Sequence, residues 1–323
     1  MTQNKILFRA IFELTPLANL LKLKYNKGFS KNKSIGPGKT WRVRMPTDLK
    51  KTNNYIVPVL AGGGTRFPSH VGIIKALEDL GISYNHIVGI SGGSIVASFV
   101  ALGRQPDELY NLATKVDFNQ FRGYSLFNLV FEGGLSTGDN FEKWMDTELQ
   151  GATFSDLLLG LHIVATDVKS QRPVIFDKEH TPDMKVATAV RYSMGIPLLF
   201  TFKKYEDKLL VDGSILADDT LHFDLSHNGT PVIFFRLRSS QINSHNKINR
   251  WVPVSSYMNM LIRTIMTSLS REYVSDQYWG KTLIIDTGKF SPIEFKLSKE
   301  DKRELYERGY KTTLECLPQK LGL

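Results

Sequence analysis

Ser91 is the residue whose neighbours best equip it to act as a nucleophile. It stands in Gly89-Ile90-Ser91-Gly92-Gly93, a G-x-S-x-G sequence between the strand-like run 86–88 and an apolar helical pattern at 95–102. Between a strand and a helix, this sequence forms a nucleophile elbow that lifts the serine hydroxyl above the sheet edge. Glycine leaves room where the backbones crowd, and the helix N-terminus points N–H groups at the same place. The pattern predicts acyl transfer through Ser91.

A triple glycine supplies a second turn of the same kind. Gly62 to Gly64 follow the strand-like run 55–60 and precede a helical pattern at 69–80. Backbone without side chains can turn successive N–H groups toward one point, and one such oxyanion donor is typically worth ~3–4 kcal/mol in the transition state. We therefore predict an oxyanion hole from Gly62, Gly63, Gly64 and Gly92.

Phosphate binding is the alternative for both glycine turns. A Walker loop needs a lysine that neither turn supplies, and the Rossmann fingerprint fails at Phe67, where its third glycine would stand. Nucleotide binding is therefore a minor alternative.

The two turns and the segments after them resemble the patatin-like phospholipase family. The resemblance continues through the Ala-Thr-Asp ending of the run 161–168, the Ala-x-x-x-Ser-x-x-x-Pro pattern of 189–197 and the Asp-Gly-Ser of 212–214. It implies a patatin-like fold and a Ser-Asp dyad, Ser91 with Asp212, in place of a Ser-His-Asp triad. It also implies hydrolysis of a glycerophospholipid or related lipid ester, without a metal or other cofactor. The supporting motif residues are then Arg66, Gly89, Gly93 and Gly213.

Two positions depart from the family pattern. The glycine loop usually ends in glycine where this chain has Phe67, and the Asp-Gly motif usually ends in glycine or alanine where it has Ser214. We expect Phe67 to narrow the oxyanion side of the site or to shift the loop. A catalytically silent lipid-binding or scaffold protein that keeps the fold is therefore the alternative function.

Two strand-end carboxylates are candidates for the base, because strand carboxyl ends face the ligand crevice of an open α/β sheet. Asp212 is preferred over Asp167, since Gly213 lets the chain turn away from it and it holds the base position of the resemblance. Asp167 is predicted to be structural.

Histidines remain as an alternative to the dyad. A triad in the chain order Ser, Asp, His would take its histidine from His222, His227 or His245. His70, at a helix start near the glycine loop, is predicted to be a surface residue.

The elements that must position these residues alternate between buried strands and helices. This alternation predicts a three-layer α/β/α body over residues 55–323, with a mostly parallel central sheet and the two glycine turns adjacent at one edge. Further helices are predicted at 106–115, 138–150, 255–273 and, as a C-terminal extension, 298–317; further strands at 231–237 and 282–286. The aromatic segment 118–131 is either a cap or acyl-chain contact over the site or a helix packed in the core.

The charge of the chain is concentrated in an N-terminal arm, residues 1–54. The arm carries twelve Lys or Arg against two acidic residues, a net charge of +10, while the whole chain carries +9. With its apolar pattern at 6–23, it is predicted to be partly helical and to contact anionic membranes peripherally. Packing of 4–23 on the body is the alternative. Nucleic acid is an unlikely partner, because few aromatic residues are interleaved with the charges.

The cysteine content and the lengths of the apolar runs indicate in which cellular compartment the protein is expected. Cys316 is the single cysteine, which excludes an internal disulfide and is typical of a reducing compartment. No run of eighteen apolar residues occurs, and Arg9 and Glu13 interrupt the apolar N-terminal stretch, so neither a transmembrane helix nor a signal peptide is predicted. We expect a cytoplasmic protein that contacts membranes at most peripherally. The sequence leaves its oligomeric state open.

Overall fold

The computed structural model describes residues 54–222, 229–239 and 279–323, apart from 122 and 124, and a few positions between 257 and 265. The predicted arm therefore lies outside the described residues except for residue 54, and so does most of the helix predicted at 255–273. His227 and His245 also lie outside them, as does the side chain of His222.

A mostly parallel sheet forms the centre of the described body. Its strands are β1 (Val57–Ala61), β2 (His86–Ile90), β4 (Gly160–Asp167), β5 (Arg172–Phe176), β7 (Lys203–Tyr205), β8 (Lys208–Asp212), β9 (Val232–Arg238) and β10 (Thr282–Asp286). The order is β10-β9-β1-β2-β4-β8-β7, with β5 also paired to β4. The five strands from β10 to β4 run parallel, and β5, β7 and β8 are antiparallel to their neighbours. Two short strands, β3 (Gly134–Ser136) and β6 (Leu198–Phe200), pair separately.

Helices follow the strands in the order that the sequence predicts. They are α1 (Pro68–Asp79), α2 (Gly92–Ala101), α3 (Pro106–Lys115), α4 (Leu126–Glu132), α5 (Asp139–Glu148), α6 (Val186–Ser193) and α7 (Lys299–Leu321). Short 3-10 segments span Gly64–Arg66, Phe118–Phe121, Phe154–Asp156 and Gly213–His222. The predicted three-layer α/β class is confirmed.

Alternating residues of β1 show how the sheet is buried on both faces. Leu60 belongs to the large hydrophobic cluster that includes residues of α1 and α2. Val57 and Val59 belong to a second cluster that includes Ala217 of the 3-10 segment. This is the period of two expected of a strand, and burial on both faces explains why the strands are continuously apolar.

The C-terminal helix α7 anchors α1, the helix that follows the glycine loop. A Cβ on Gly72 would lie 2.1 Å from the Tyr306 carbonyl oxygen, and a Cβ on Gly309 would lie 2.0 Å from that of Ser69. The two helix backbones therefore approach as closely as glycine permits. The Ser69 hydroxyl also donates to the Leu305 carbonyl at 2.8 Å. This contact fixes the position of the first turn of α1.

The aromatic segment 118–131 divides between the two interpretations. Phe118 and Phe121 are buried in the main core, but Phe127 and Phe131 of α4 are 65% and 69% exposed. The core-helix interpretation is therefore wrong for the face of α4 that carries these two rings, whose centroids lie 4.5 Å apart. Leu129, also on α4, packs on a buried cluster. Within the described ranges, no helix is both long and apolar enough to cross a membrane.

Candidate active site

Ser91 occupies a strained turn between β2 and α2. Its φ of 52° and ψ of −129° are rare for a residue other than glycine, and the residue is fully buried. The turn is closely packed: a Cβ on Gly93 would lie 2.0 Å from the Leu60 carbonyl oxygen, and one on Gly89 would lie 2.5 Å from Ser94 Cα. Glycine is therefore a steric requirement on both sides of Ser91.

The Ser91 hydroxyl donates a hydrogen bond to the carboxylate of Asp212, with Oγ 2.7 Å from Oδ2. Asp212 ends β8, and the Ser214 backbone N–H donates to its other oxygen at 2.8 Å. Burial raises the pKa of Asp212 to about 6, against the opposing effect of the Ser91 and Ser214 hydrogen bonds. The carboxyl group thus titrates near neutral pH, unlike an ordinary aspartate.

A second serine supports the elbow from α6. The Ser193 hydroxyl accepts the Ser91 backbone N–H at 2.8 Å and donates to the Val164 carbonyl at 2.6 Å. Met194 places its sulfur 3.8 Å from Ser91 Oγ. Both residues lie in the segment 189–197, whose sequence pattern does not reveal these roles. Ser193 is the only serine of that segment, which is the signal that could identify it.

The glycine loop lies directly against the elbow. The φ values of Gly62, Gly63 and Gly64 are all positive, at 71°, 114° and 53°. Residues other than glycine adopt such values only with steric strain. A Cβ on Gly92 would lie 2.5 Å from the Gly64 nitrogen and 3.1 Å from the Gly62 carbonyl oxygen. The two glycine turns are thus in backbone contact at the carboxyl ends of the neighbouring strands β1 and β2.

Some backbone N–H groups of the two glycine turns already donate a hydrogen bond, and others do not. The Gly62 N–H donates to the Ile90 carbonyl at 3.0 Å, so the prediction of Gly62 as an oxyanion donor is wrong. Its N–H is used where the loop leaves β1. In the described part of the chain, the N–H groups of Gly63, Gly64 and Gly92 have no acceptor.

The model of the patatin-like phospholipase family matches residues 59–223, a span that includes Ser91 and Asp212. The chain belongs to the patatin-like phospholipase family.

Several relatives match over most of the chain. An uncharacterized protein of Acanthamoeba polyphaga mimivirus is 26% identical over 78% of this chain and 90% of its own length. YqhO of Bacillus subtilis is 26% identical over 82% of this chain and 99% of its own. A probable lipid hydrolase, 463L of Invertebrate iridescent virus 6, is 30% identical over 51% of this chain and 61% of its own.

A solved structure shares the fold. VipD from Legionella pneumophila superposes with a TM-score of 0.54 at 15% sequence identity, over 82% of this chain and 67% of that one. At this identity the likeness concerns the fold alone.

The two departures from the patatin-like pattern differ in how they fit the structure, and Phe67 fits it without backbone strain. Phe67 has a φ of −54°, which any residue adopts, and its buried ring packs edge-on against Phe118 at 5.3 Å between centroids. The expected narrowing of the oxyanion side is therefore not seen, because the ring belongs to the core. The Ser214 hydroxyl is buried without a hydrogen-bond partner among the described residues and would lie 3.8 Å from a Cβ on Gly62.

Arg66 holds the glycine loop from the side of β9 and β10. The side chain is fully buried, its Nε donates to the Gly63 carbonyl at 3.2 Å, and Nη1 donates to the hydroxyls of Ser239 and Thr287 at 2.7 and 2.9 Å. Burial lowers the pKa of Arg66 to about 9, so the guanidinium stays charged at neutral pH. The supporting position predicted for Arg66 thus has a structural basis.

His70 is buried, so its prediction as a surface residue is wrong. His70 lies in the first turn of α1, directly after the glycine loop, and its side chain is completely enclosed. Its Nε2 lies 3.0 Å from the Gly62 carbonyl oxygen. Burial is the main reason that the pKa of His70 falls to about 4, so the ring is neutral at pH 7.

Asp167 has a structural environment, as predicted. Its carboxylate accepts the backbone N–H groups of Lys169, Ser170 and Leu209 and the Ser170 hydroxyl. The Ser170 hydroxyl and these N–H groups hold the pKa of Asp167 well below its usual range. Among the side chains that the structure describes, no histidine is hydrogen-bonded to Ser91 or Asp212. No group of three or more described His, Cys, Asp or Glu side chains could hold a metal ion.

Proposed function

We propose that this chain hydrolyses ester bonds of phospholipids or related lipids through an acyl-serine intermediate at Ser91, with Asp212 as the base. One observation carries the proposal: the 2.7 Å hydrogen bond from Ser91 Oγ to Asp212 Oδ2, in a buried site beside unoccupied N–H groups. Membership of a phospholipase family and the relative named as a probable lipid hydrolase support the substrate class.

Acylation begins when Ser91 Oγ attacks the ester carbonyl carbon and its proton passes to Asp212. The carbonyl oxygen becomes an oxyanion, and the N–H groups of Gly63, Gly64 and Gly92 stabilise it. When the tetrahedral intermediate collapses, the bond to the alcohol breaks, and protonated Asp212 returns the proton to the leaving oxygen. A water molecule then attacks the acyl carbon and gives a proton to Asp212. The bond from the acyl carbon to Ser91 Oγ breaks, Asp212 returns the proton to Oγ, and the fatty acid leaves.

The raised pKa of Asp212 suits this role. A base works best when its pKa lies near the operating pH, and an aspartate at its ordinary value of ~4 accepts a proton poorly. The value of about 6 keeps most of the carboxylate ionised at pH 7 while it brings the proton affinity closer to what the transfer needs. In a dyad, burial of the site therefore raises the basicity of the carboxylate that acts directly on the serine.

The exposed aromatic pair Phe127 and Phe131 is the proposed contact with the lipid. The two rings lie together on the outer face of α4, and Phe202 lies beside the end of that helix, where its ring would contact a Cβ on Gly133. Leu129 of α4 packs on a cluster that includes Ile293, the neighbour of Pro292, whose carbonyl accepts the Thr65 N–H of the glycine loop. The aromatic pair is thus connected to the loop through packed residues.

The division into a basic arm, residues 1–54, and a catalytic body, residues 55–323, remains part of the proposal. The arm adds +10 to a body that is close to neutral, and each Lys or Arg near an anionic leaflet contributes ~1 kcal/mol. We propose that it binds anionic membranes and takes no part in the chemistry.

Fatty-acid release from mixed phospholipid vesicles tests the function. Ser91→Ala and Asp212→Ala are expected to lower release by at least about 10³-fold, as in other serine hydrolases. Ser98→Ala is the matched control, because it removes a buried serine hydroxyl of the same helix that bonds only within the helix. Equal release by wild type and both site variants would remove Ser91 and Asp212 from the mechanism. Vesicle binding without release by wild type would favour the silent lipid-binding alternative.

A further inference from the structure

Two buried side chains hold the glycine loop by its carbonyl oxygens. His70 Nε2 bonds to the Gly62 carbonyl, and Arg66 Nε bonds to the Gly63 carbonyl. A peptide unit is planar and trans, so its C=O and the following N–H point in opposite directions. A donor that fixes one carbonyl therefore also fixes the direction of the next N–H.

For His70, the N–H so fixed belongs to Gly63. The Gly62 carbonyl can only accept, so Nε2 carries the proton, and His70 is the Nε2–H tautomer. Because the carbonyl points at His70, the Gly63 N–H points away from it. The other ring nitrogen, Nδ1, is buried with no partner among the described residues, which leaves Nε2 as the ring's one polar attachment there.

We propose that His70 is a positioning residue that aims the Gly63 N–H into the oxyanion hole. The inference rests on the proposed function, in which Gly63 is a donor. Arg66 has the same relation to the Gly64 N–H through the Gly63 carbonyl. The Gly62–Gly63 and Gly63–Gly64 peptide units are thus held at their carbonyl oxygens, one by the neutral His70 and one by the charged Arg66. Their N–H groups point the other way and remain available to the substrate.

The surroundings make His70 a rigid support. A Cβ on Gly63 would lie 3.3 Å from His70 Nε2 and 3.1 Å from Leu237 Cδ1, so the loop rests on the imidazole ring and on β9. The His70 backbone N–H donates to the Phe67 carbonyl. The preceding residue, Ser69, ties the helix turn to α7 through Leu305. The ring is therefore completely enclosed, on a helix turn whose backbone is held by Phe67 and, through Ser69, by α7.

A low proton affinity suits a positioning role and distinguishes it from a base. With a pKa of about 4, the ring keeps the same tautomer and no charge at every pH above about 5. Arg66, Ser239 and Thr287 are the charged and polar groups gathered on the same loop, and the Arg66 charge helps to lower the pKa of His70. Loss of His70 should lower the rate without shifting the pH profile.

The test compares His70→Leu, which removes the donor, with His70→Gln, whose amide nitrogen can occupy the place of Nε2. The substrate is a soluble short-chain ester, so that vesicle binding does not enter. We expect His70→Leu to lower kcat about 10- to 100-fold with KM within about twofold, since complete loss of an oxyanion donor costs about 10²–10³. His70→Gln should stay within about fivefold of wild type. The wild-type pH profile should be kept by both.

A tetrahedral inhibitor gives a second readout. A trifluoromethyl ketone forms a serine adduct that carries an oxyanion, so its Ki for His70→Leu should rise by the same factor as kcat/KM falls. Thr313→Ala is the matched control: it removes a buried side-chain hydrogen bond, from the Thr313 hydroxyl to the Gly309 carbonyl, that lies within α7. It should lower the urea midpoint and keep kcat.

The outcomes separate this inference from the proposed function. Activity that survives in Ser91→Ala would overturn the proposed function and this inference with it. Full kcat in His70→Leu beside an inactive Ser91→Ala would overturn this inference alone. Equal loss in His70→Gln, His70→Leu and Thr313→Ala would also overturn it, because it would indicate a general role in folding. If His70→Leu does not fold, His70→Asn, whose amide is too short to reach the Gly62 carbonyl, replaces it with the same expectations.

Discussion

Lowering the pH from 7 to 5 is expected to reduce kcat/KM about tenfold. Asp212 must be ionised to accept the Ser91 proton, and its pKa of about 6 gives an ionised fraction of about 0.9 at pH 7 and about 0.09 at pH 5. A carboxyl group at the ordinary pKa near 3.9 would still be more than about 0.9 ionised at pH 5. The size of the fall therefore reports the environment of this one group.

The assay measures hydrolysis of a soluble short-chain ester between pH 4.5 and 8 at constant ionic strength. The ratio kcat/KM is the right quantity, because it reports ionisations of the free enzyme. Enzyme held at pH 5 and returned to pH 7 should recover full activity, which excludes unfolding as the cause.

Two results would refute the reasoning. An acid limb centred near pH 4 would mean that burial does not raise the Asp212 pKa in solution. A limb near pH 6 that persists in the residual activity of Asp212→Asn would assign it to another group.

Four further outcomes are expected. Asp212→Asn should unfold in urea with a free energy up to about 3 kcal/mol higher than wild type at pH 7, and with an equal one near pH 4. The reason is that a carboxyl pKa raised in the folded state lowers the stability of wild type as the pH rises from 4 to 6. A variant less stable than wild type at pH 7 would contradict this. Gly93→Ala should lower the free energy of unfolding by about 1–3 kcal/mol, because the new Cβ would clash with the Leu60 carbonyl. Gly280→Ala, whose Cβ would meet no atom within 4 Å, should leave it unchanged. The double variant Phe127→Ser and Phe131→Ser should lower release from vesicles and spare the soluble ester, and an equal effect on both would place these rings in the folding of the site. Deleting residues 1–50 should weaken binding to anionic vesicles in a salt-sensitive way and spare soluble-ester turnover, and unchanged binding would make the arm a packing or docking element.

The sequence alone determined the fold class and the local geometry of the two glycine turns. Helix α3 lies where its pattern predicts it, and α1, α2 and α5 differ from prediction by one to three residues at their ends. These features depend on neighbouring residues: strand runs, glycine spacing and Pro at helix starts act within a few positions. The requirement for glycine at position 89 is of this kind, because a Cβ there would meet Ser94, three residues beyond Ser91.

Tertiary structure decided which groups the site can use. The Gly62 N–H is occupied by Ile90, a residue of the neighbouring strand, and the Thr65 N–H is held by Pro292, which lies 227 positions away. The support of Ser91 by Ser193 and the burial of His70 likewise depend on elements far along the chain. Local patterns specify which backbone groups exist, but hydrogen-bond partners and desolvation come from residues distant in sequence. For that physical reason the occupied N–H, the buried histidine and the raised pKa of Asp212 emerge only when the chain is folded.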